Sequence, residues 1–104
     1  MDNIELIKKQ VDSRLIRFTL HAQQKMTLEN IMVSDLTYAF SNAELLEDYP
    51  DYERGPCCLI YGNTKTARPI HIVCTTSLPE LVIITVYEPT MPKWITPYQR
   101  RSET

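Results

Sequence analysis

The sequence predicts an α+β fold, with N-terminal helices packed on a curved antiparallel sheet of four to five strands. Two observations carry this. Apolar residues recur at three- and four-residue spacing in the first part of the chain, the period of an amphipathic helix. From Glu44 onward the pattern changes to four strand-like runs, "ELLEDY", "CCLIYG", "IHIVCTT" and "LVIITVY". The pieces between them, "PDYERGP", "NTKTARP" and "SLPE", are turn-like and too short for crossover helices, so the four strands should form an antiparallel meander.

Taken in order, residues 3–15 place Ile4, Ile7, Val11 and Leu15 on one stripe and predict a first helix. "LIRFT" reads as a short strand. Thr19 then caps a helix through "LHAQQKM", its hydroxyl accepting from amides of the first turn. Ser34, with Asp35 in the first turn, opens a further helix to about Asn42, with Leu36 and Phe40 one turn apart. The proline-rich "EPTMPKWITP" holds little regular structure and should lie across the sheet with Trp94 as its anchor. At 104 residues the chain fits one domain, 1–104, with residues 95–104 as a tail.

Composition narrows the function. A content of 43% hydrophobic and 23% charged residues is that of a soluble globular protein. No apolar run reaches the ~20 residues of a membrane helix, and the mixed-charge start has no signal-peptide core, which predicts a cytoplasmic protein without a membrane partner. Cys57 and Cys58 are adjacent and Cys74 is alone, with no Cys-x-x-Cys, so the cysteines read as small buried hydrophobes and no metal or cofactor is expected. With two glycines in all, a glycine-rich phosphate loop is absent.

A net charge of −2 argues against a tight nucleic-acid binder, but the charges are segregated. "AELLEDYPDYERG" holds five acids before Arg54, whereas Arg54, Lys65 and Arg68 lie in a stretch free of acids, and the tail adds Lys93, Arg100 and Arg101.

Two places carry candidate chemistry. His21 and Lys25 are four apart on a helix and share a face, with Ala22 and Met26 turned to the core. His21 falls in the first turn, where the positive dipole end disfavours imidazolium and favours an anion; a surface histidine beside a solvated lysine is the plain alternative. In "IHIVCTT" alternation groups His71, Val73 and Thr75; in "LVIITVYE" it groups Ile83, Thr85 and Tyr87. A hairpin of the two would bring His71 near Tyr87, either as a reactive pair or as a satisfied core histidine. Two histidines, tyrosines and scattered bases, without a metal site, suit proton transfer on a phosphodiester.

The stretch "FTLHAQQKMTLENIMVSDLTYAF", followed by "LLEDYPDYERGPCCLIYGNTKTARPIHIVCTTSLPELVIITVYEPTMPKW", resembles domain-of-unknown-function family forty-two fifty-eight, a widespread prokaryotic family. The likeness covers about residues 16–94 and rests on His21–Ala22, Tyr49–Pro50, the histidine of "RPIHIV", and "ITVYEP" leading to Trp94. It implies a RelE/barnase-like fold and kinship with RelE-like and MqsR-like toxins, many of which cleave RNA without a metal. The resulting expectation is a toxin-type endoribonuclease of the mRNA-interferase kind, or a degenerate relative. In it His21, His71 and Tyr87 are catalytic; Lys25, Arg54, Arg68 and Arg100 hold phosphate; and Tyr49, Thr85 and Trp94 give support. Its partners would be RNA or a ribosome and a small antitoxin-like protein, with a homodimer also open. Two departures stand out: Lys25 where many relatives have arginine, and Asn30 where a glycine is usual. The nuclease reading requires both imidazoles to face one solvent-reachable hollow between helix and sheet. The rival is a non-catalytic binding module that docks a partner on its acidic strand or sheet edge.

Overall fold

The computed structural model describes residues 16–53, 55–75, 81–90, 94–97 and 99–100, excepting the side chains of 94, 95, 99 and 100. The helix expected over residues 3–15 lies outside them. The described chain runs β1 (Ile16–Phe18), α1 (Leu20–Leu28), α2 (Val33–Ser41), β2 (Glu44–Tyr49), β3 (Cys57–Asn63), β4 (Pro69–Thr75) and β5 (Leu81–Tyr87). A small antiparallel pair follows, β6 (Trp94–Thr96) and β7 (Gln99–Arg100), so the tail holds more regular structure than its prolines suggest.

Thr19 starts α1 as expected. Its hydroxyl accepts from the Ala22 amide at 3.0 Å and donates to the Ile84 carbonyl at 2.8 Å, so one side chain caps the helix and ties it to β5. The helix stops at Asn30, whose φ of 55° is left-handed, while the Ile31 amide returns to the Met26 carbonyl at 2.8 Å. That conformation favours glycine, and asparagine is the side chain that best tolerates it, which accounts for the departure at this position. α2 opens one residue before the expected Ser34. The Asp35 carboxylate, not the serine, accepts from the Met32 amide at 2.8 Å, because it can reach back over the first turn.

The main sheet has the order β1-β5-β4-β3-β2. β2 to β5 form the expected antiparallel meander, but β1 runs parallel to β5 with Ile16 opposite Leu81 and Phe18 opposite Ile83. The sheet is therefore mixed, not antiparallel. The two helices intervene between β1 and the meander, and that long connection allows β1 to lie alongside the last strand in the same direction.

A second difference comes from β5. Val73 pairs with Thr85 but Cys74 pairs with Ile83, so Ile84 is an extra residue. Such a bulge inverts the side-chain alternation at that point. Ile83 joins Leu81 and Val86 in the core, and only Thr85 and Tyr87 remain on the face of His71, which corrects the expected grouping.

Ala22 and Met26 of α1 and Leu36, Ala39 and Phe40 of α2 share one buried cluster with Ile60, Ile72, Ile83 and Val86 of the sheet. Each large side chain so buried contributes about 1.5–3 kcal/mol. α2 meets β3 closely at Gly62, where a Cβ would lie 2.3 Å from the Ala39 carbonyl oxygen.

Candidate functional site

Residues paired across a sheet point to the same side, so the register sorts the candidates. One row runs Glu44, Tyr61, His71, Tyr87 across β2, β3, β4 and β5. The next on that side is Glu47, Leu59, Val73, Thr85, and then Tyr49, Cys57, Thr75. Between them lie rows containing Ile60, Ile72 and Val86, which belong to the cluster shared with the helices. The sheet thus has a helix face and an opposite face, and Tyr49, His71, Thr85 and Tyr87 all lie on the opposite one.

His71 is the centre of that face and has 0% exposure. Its Nε2 lies 2.7 Å from the Pro97 carbonyl oxygen and its Nδ1 3.3 Å from the Tyr87 hydroxyl. A carbonyl can only accept, so Nε2 carries a proton; in the neutral ring Nδ1 then accepts from the phenol. The Tyr87 ring stands 5.3 Å away, and the Tyr61 ring meets His71 edge-on at 6.0 Å. The Tyr61 hydroxyl donates to Asn63 Oδ1 at 3.1 Å, and the Tyr49 hydroxyl donates to Glu47. This is a packed polar cluster that holds the segment at Pro97 against the sheet.

His21 is elsewhere. It is exposed in the first turn of α1, whose buried residues Ala22 and Met26 pack in the helix-face cluster. The expected hollow shared by both imidazoles is not formed: the two histidines lie on opposite sides of the sheet. The reason is the two-residue period of β4, since turning Ile70 and Ile72 toward the helices turns His71 away from them. Lys25 shares the exposed side of α1 as expected, but its ammonium pairs with Glu29 at 2.9 Å.

Arg68 is not a free phosphate ligand either. Its Nε donates to Glu88 Oε1 at 2.6 Å, Nη1 to the Asn30 carbonyl at 3.1 Å and Nη2 to the Glu29 carbonyl at 2.5 Å. The guanidinium thereby caps the end of α1, where the carbonyls lack helical partners and the dipole favours a cation. Glu29 in turn accepts from the Glu88 amide at 2.8 Å. Arg54 and the side chains of Arg100 and Trp94 lie outside the described residues. Two contributors were missed by sequence reasoning. Tyr61 becomes visible only once the β3–β4 register is known, and the Arg68–Glu88 pair spans 20 residues with no local signal.

Among the described residues no three of His, Cys, Asp and Glu gather as a metal site. No described helix is long and apolar enough to cross a membrane. An open groove of about 790 Å³ lies between α1 and the segment leading into α2, lined by Phe18, Met26, Ile31 and Met32 among others, and it contains none of the expected site residues. On the other border of the sheet, β2 pairs with β3 alone among the described strands and exposes Glu44, Leu45 and Asp48.

Among the described residues, two helices and a five-stranded mixed sheet define a small α+β protein. Residues 18–88 match the family described as domain of unknown function DUF4258, and the chain belongs to it. No curated protein and no solved structure matches the chain.

Proposed function

We propose that this chain is a protein-binding module that takes a basic, extended segment of a partner along the outer edge of β2. The observation that carries this is the position of β2 at the sheet border, with no strand beyond it among the described residues and with exposed acids along it. A strand edge offers unpaired amides and carbonyls for strand addition. Glu44 and Asp48, followed by Asp51 and Glu53, repel a second copy of the same edge and attract lysine and arginine. The exposed Leu45 and Tyr52 add apolar contact. We assign this role to the small antitoxin-like protein that the RelE/MqsR resemblance implies. The test is titration of the full chain with a Lys-Val alternating decapeptide, followed by amide shifts and hydrogen exchange. Shifts and protection over residues 44–49 that weaken with salt and vanish in Glu44→Lys/Asp48→Lys are expected. Shifts confined to the groove around Met32, or none at low salt, overturn the reading.

The Tyr61–His71–Tyr87 row favours a second reading, a metal-independent endoribonuclease of RelE/MqsR-like kind with its reacting groups on the face opposite the helices. There His71 Nδ1, which holds the lone pair, takes a ribose hydroxyl proton after the Tyr87 hydroxyl has turned from it to donate its own proton to the leaving oxygen, while Nε2–H stays on the Pro97 carbonyl. It ranks second because the two-histidine form is lost with the shared hollow, so His71 must act without His21; both ring nitrogens are engaged, and Glu44 and Glu47 share the face, where they oppose a phosphate. Cellular RNA is followed on expression of the wild type, Tyr87→Phe and His71→Ala. Cleavage by the wild type alone supports this reading, and intact RNA in all three removes it.

A further inference from the structure

Cys58 of β3 and Cys74 of β4 are directly opposed in the antiparallel register, with their sulfurs 4.0 Å apart. Opposed residues in such a ladder have Cα atoms about 4.5–5.5 Å apart, inside the window of about 4.4–6.8 Å that a disulfide spans. The sulfurs need to approach by roughly 2 Å, a motion of side-chain rotation and not of backbone. Cys57 is one residue away but on the other face, opposite Thr75, so alternation removes it from the pair.

We propose that Cys58 and Cys74 are a thiol–disulfide exchange site that closes a cross-strand disulfide between β3 and β4 on reaction with a low-molecular-weight disulfide. The Cys58 thiolate attacks one sulfur of R–S–S–R and expels RS⁻, leaving a mixed disulfide on Cys58. Cys74, on losing its proton, attacks the Cys58 sulfur and expels the second RS⁻. Two protein thiols are oxidised, R–S–S–R is reduced to two RSH, and the two protons released end on those thiols. The order follows from the asymmetry of the pair. The hydrogen bond between the two thiols lowers the pKa of Cys58 against the opposing effects of burial and of Asp48, whereas that bond and burial push Cys74 well up. Both side chains have 0% exposure, so exchange is slow and follows opening of the β3–β4 ladder. Once closed, the bond links positions 16 apart in sequence and restricts the unfolded chain.

The full chain, reduced and purified, is incubated with excess oxidised glutathione, blocked with N-ethylmaleimide in denaturant, and analysed by intact mass and peptide mapping. In the wild type the three blockable thiols fall to one, with a Cys58–Cys74 linked peptide, and Cys57→Ser forms the same link. The oxidised protein keeps its circular dichroism and unfolds at higher urea. Cys58→Ala forms no internal bond to Cys74; should that variant fail to fold, the maps of the wild type and Cys57→Ser decide. Three thiols persisting throughout, a link through Cys57, or a lower urea midpoint after closure overturns the proposal.

Discussion

The two faces of the sheet use the same strands for different physics. Toward the helices, Ile60, Ile72, Ile83 and Val86 meet Ala22, Leu36 and Phe40 in an apolar layer whose stabilisation scales with area and has little direction. Away from them, Tyr61, His71 and Tyr87 form a row whose burial is tolerable only because each polar atom is aimed at a partner. The helix face therefore tolerates exchange of one hydrocarbon for another of like volume, and the His71 face does not tolerate loss of a donor. The comparison also explains why the best-looking chemical pair, His21 and His71, is not a pair: each histidine is attached to a different layer.

The largest effect that tests this is steric and lies on the helix face. Gly62→Ala places a Cβ 2.3 Å from the Ala39 carbonyl oxygen, which is backbone and cannot swing aside. A loss of about 3 kcal/mol in urea unfolding is expected; a loss under about 1 kcal/mol would mean α2 does not press on β3 there. Next comes the histidine contrast. His71→Ala removes a buried ring and orphans the Pro97 carbonyl, with an expected cost of about 2–3 kcal/mol. His21→Ala, on an exposed site, should stay within about 0.5 kcal/mol. Equal effects from the two would erase the distinction between the layers.

Where the layers meet their border, Arg68→Lys should cost about 1.5 kcal/mol, since an ammonium cannot hold Glu88 and two carbonyls at once. The pH dependence gives a subtler difference. The thiol of Cys74 is pushed well above its ordinary value by its hydrogen bond with Cys58 and by burial. Unfolded thiols then ionise before the folded one, the native state holds more protons, and stability falls as pH rises above about 8.5. Urea midpoints measured toward pH 10 should decline less steeply in Cys74→Ala than in the wild type; parallel slopes would contradict this. The smallest effect is favourable: Ala67 sits at φ 64°, so Ala67→Gly should gain about 0.5–1 kcal/mol in the same assay.

Much of the architecture was legible in local patterns. Thr19 as a cap, Ala22 and Met26 as core residues, and the bounds of β2 follow from side-chain chemistry and spacing that act over a few residues. The proximity of His71 and Tyr87 was legible for the same reason, a short connection between two alternating runs. The bulge at Ile84 was not, because nothing in "LVIITVY" marks where the alternation breaks; it is decided by how β5 fits β4. The contacts of Arg68 were not legible, because a guanidinium's destination depends on which carbonyls the fold brings within reach, here those ending α1.

By itself, then, the sequence determined the segments that become α1, α2 and β1 to β5 and the inward face of α1 at Ala22 and Met26, since periodicity and capping are short-range. The tertiary structure alone decided the parallel placement of β1, the separation of His21 from His71, and the opposition of Cys58 to Cys74. Those depend on register and on which side of the sheet a helix takes, and neither is encoded in any one segment.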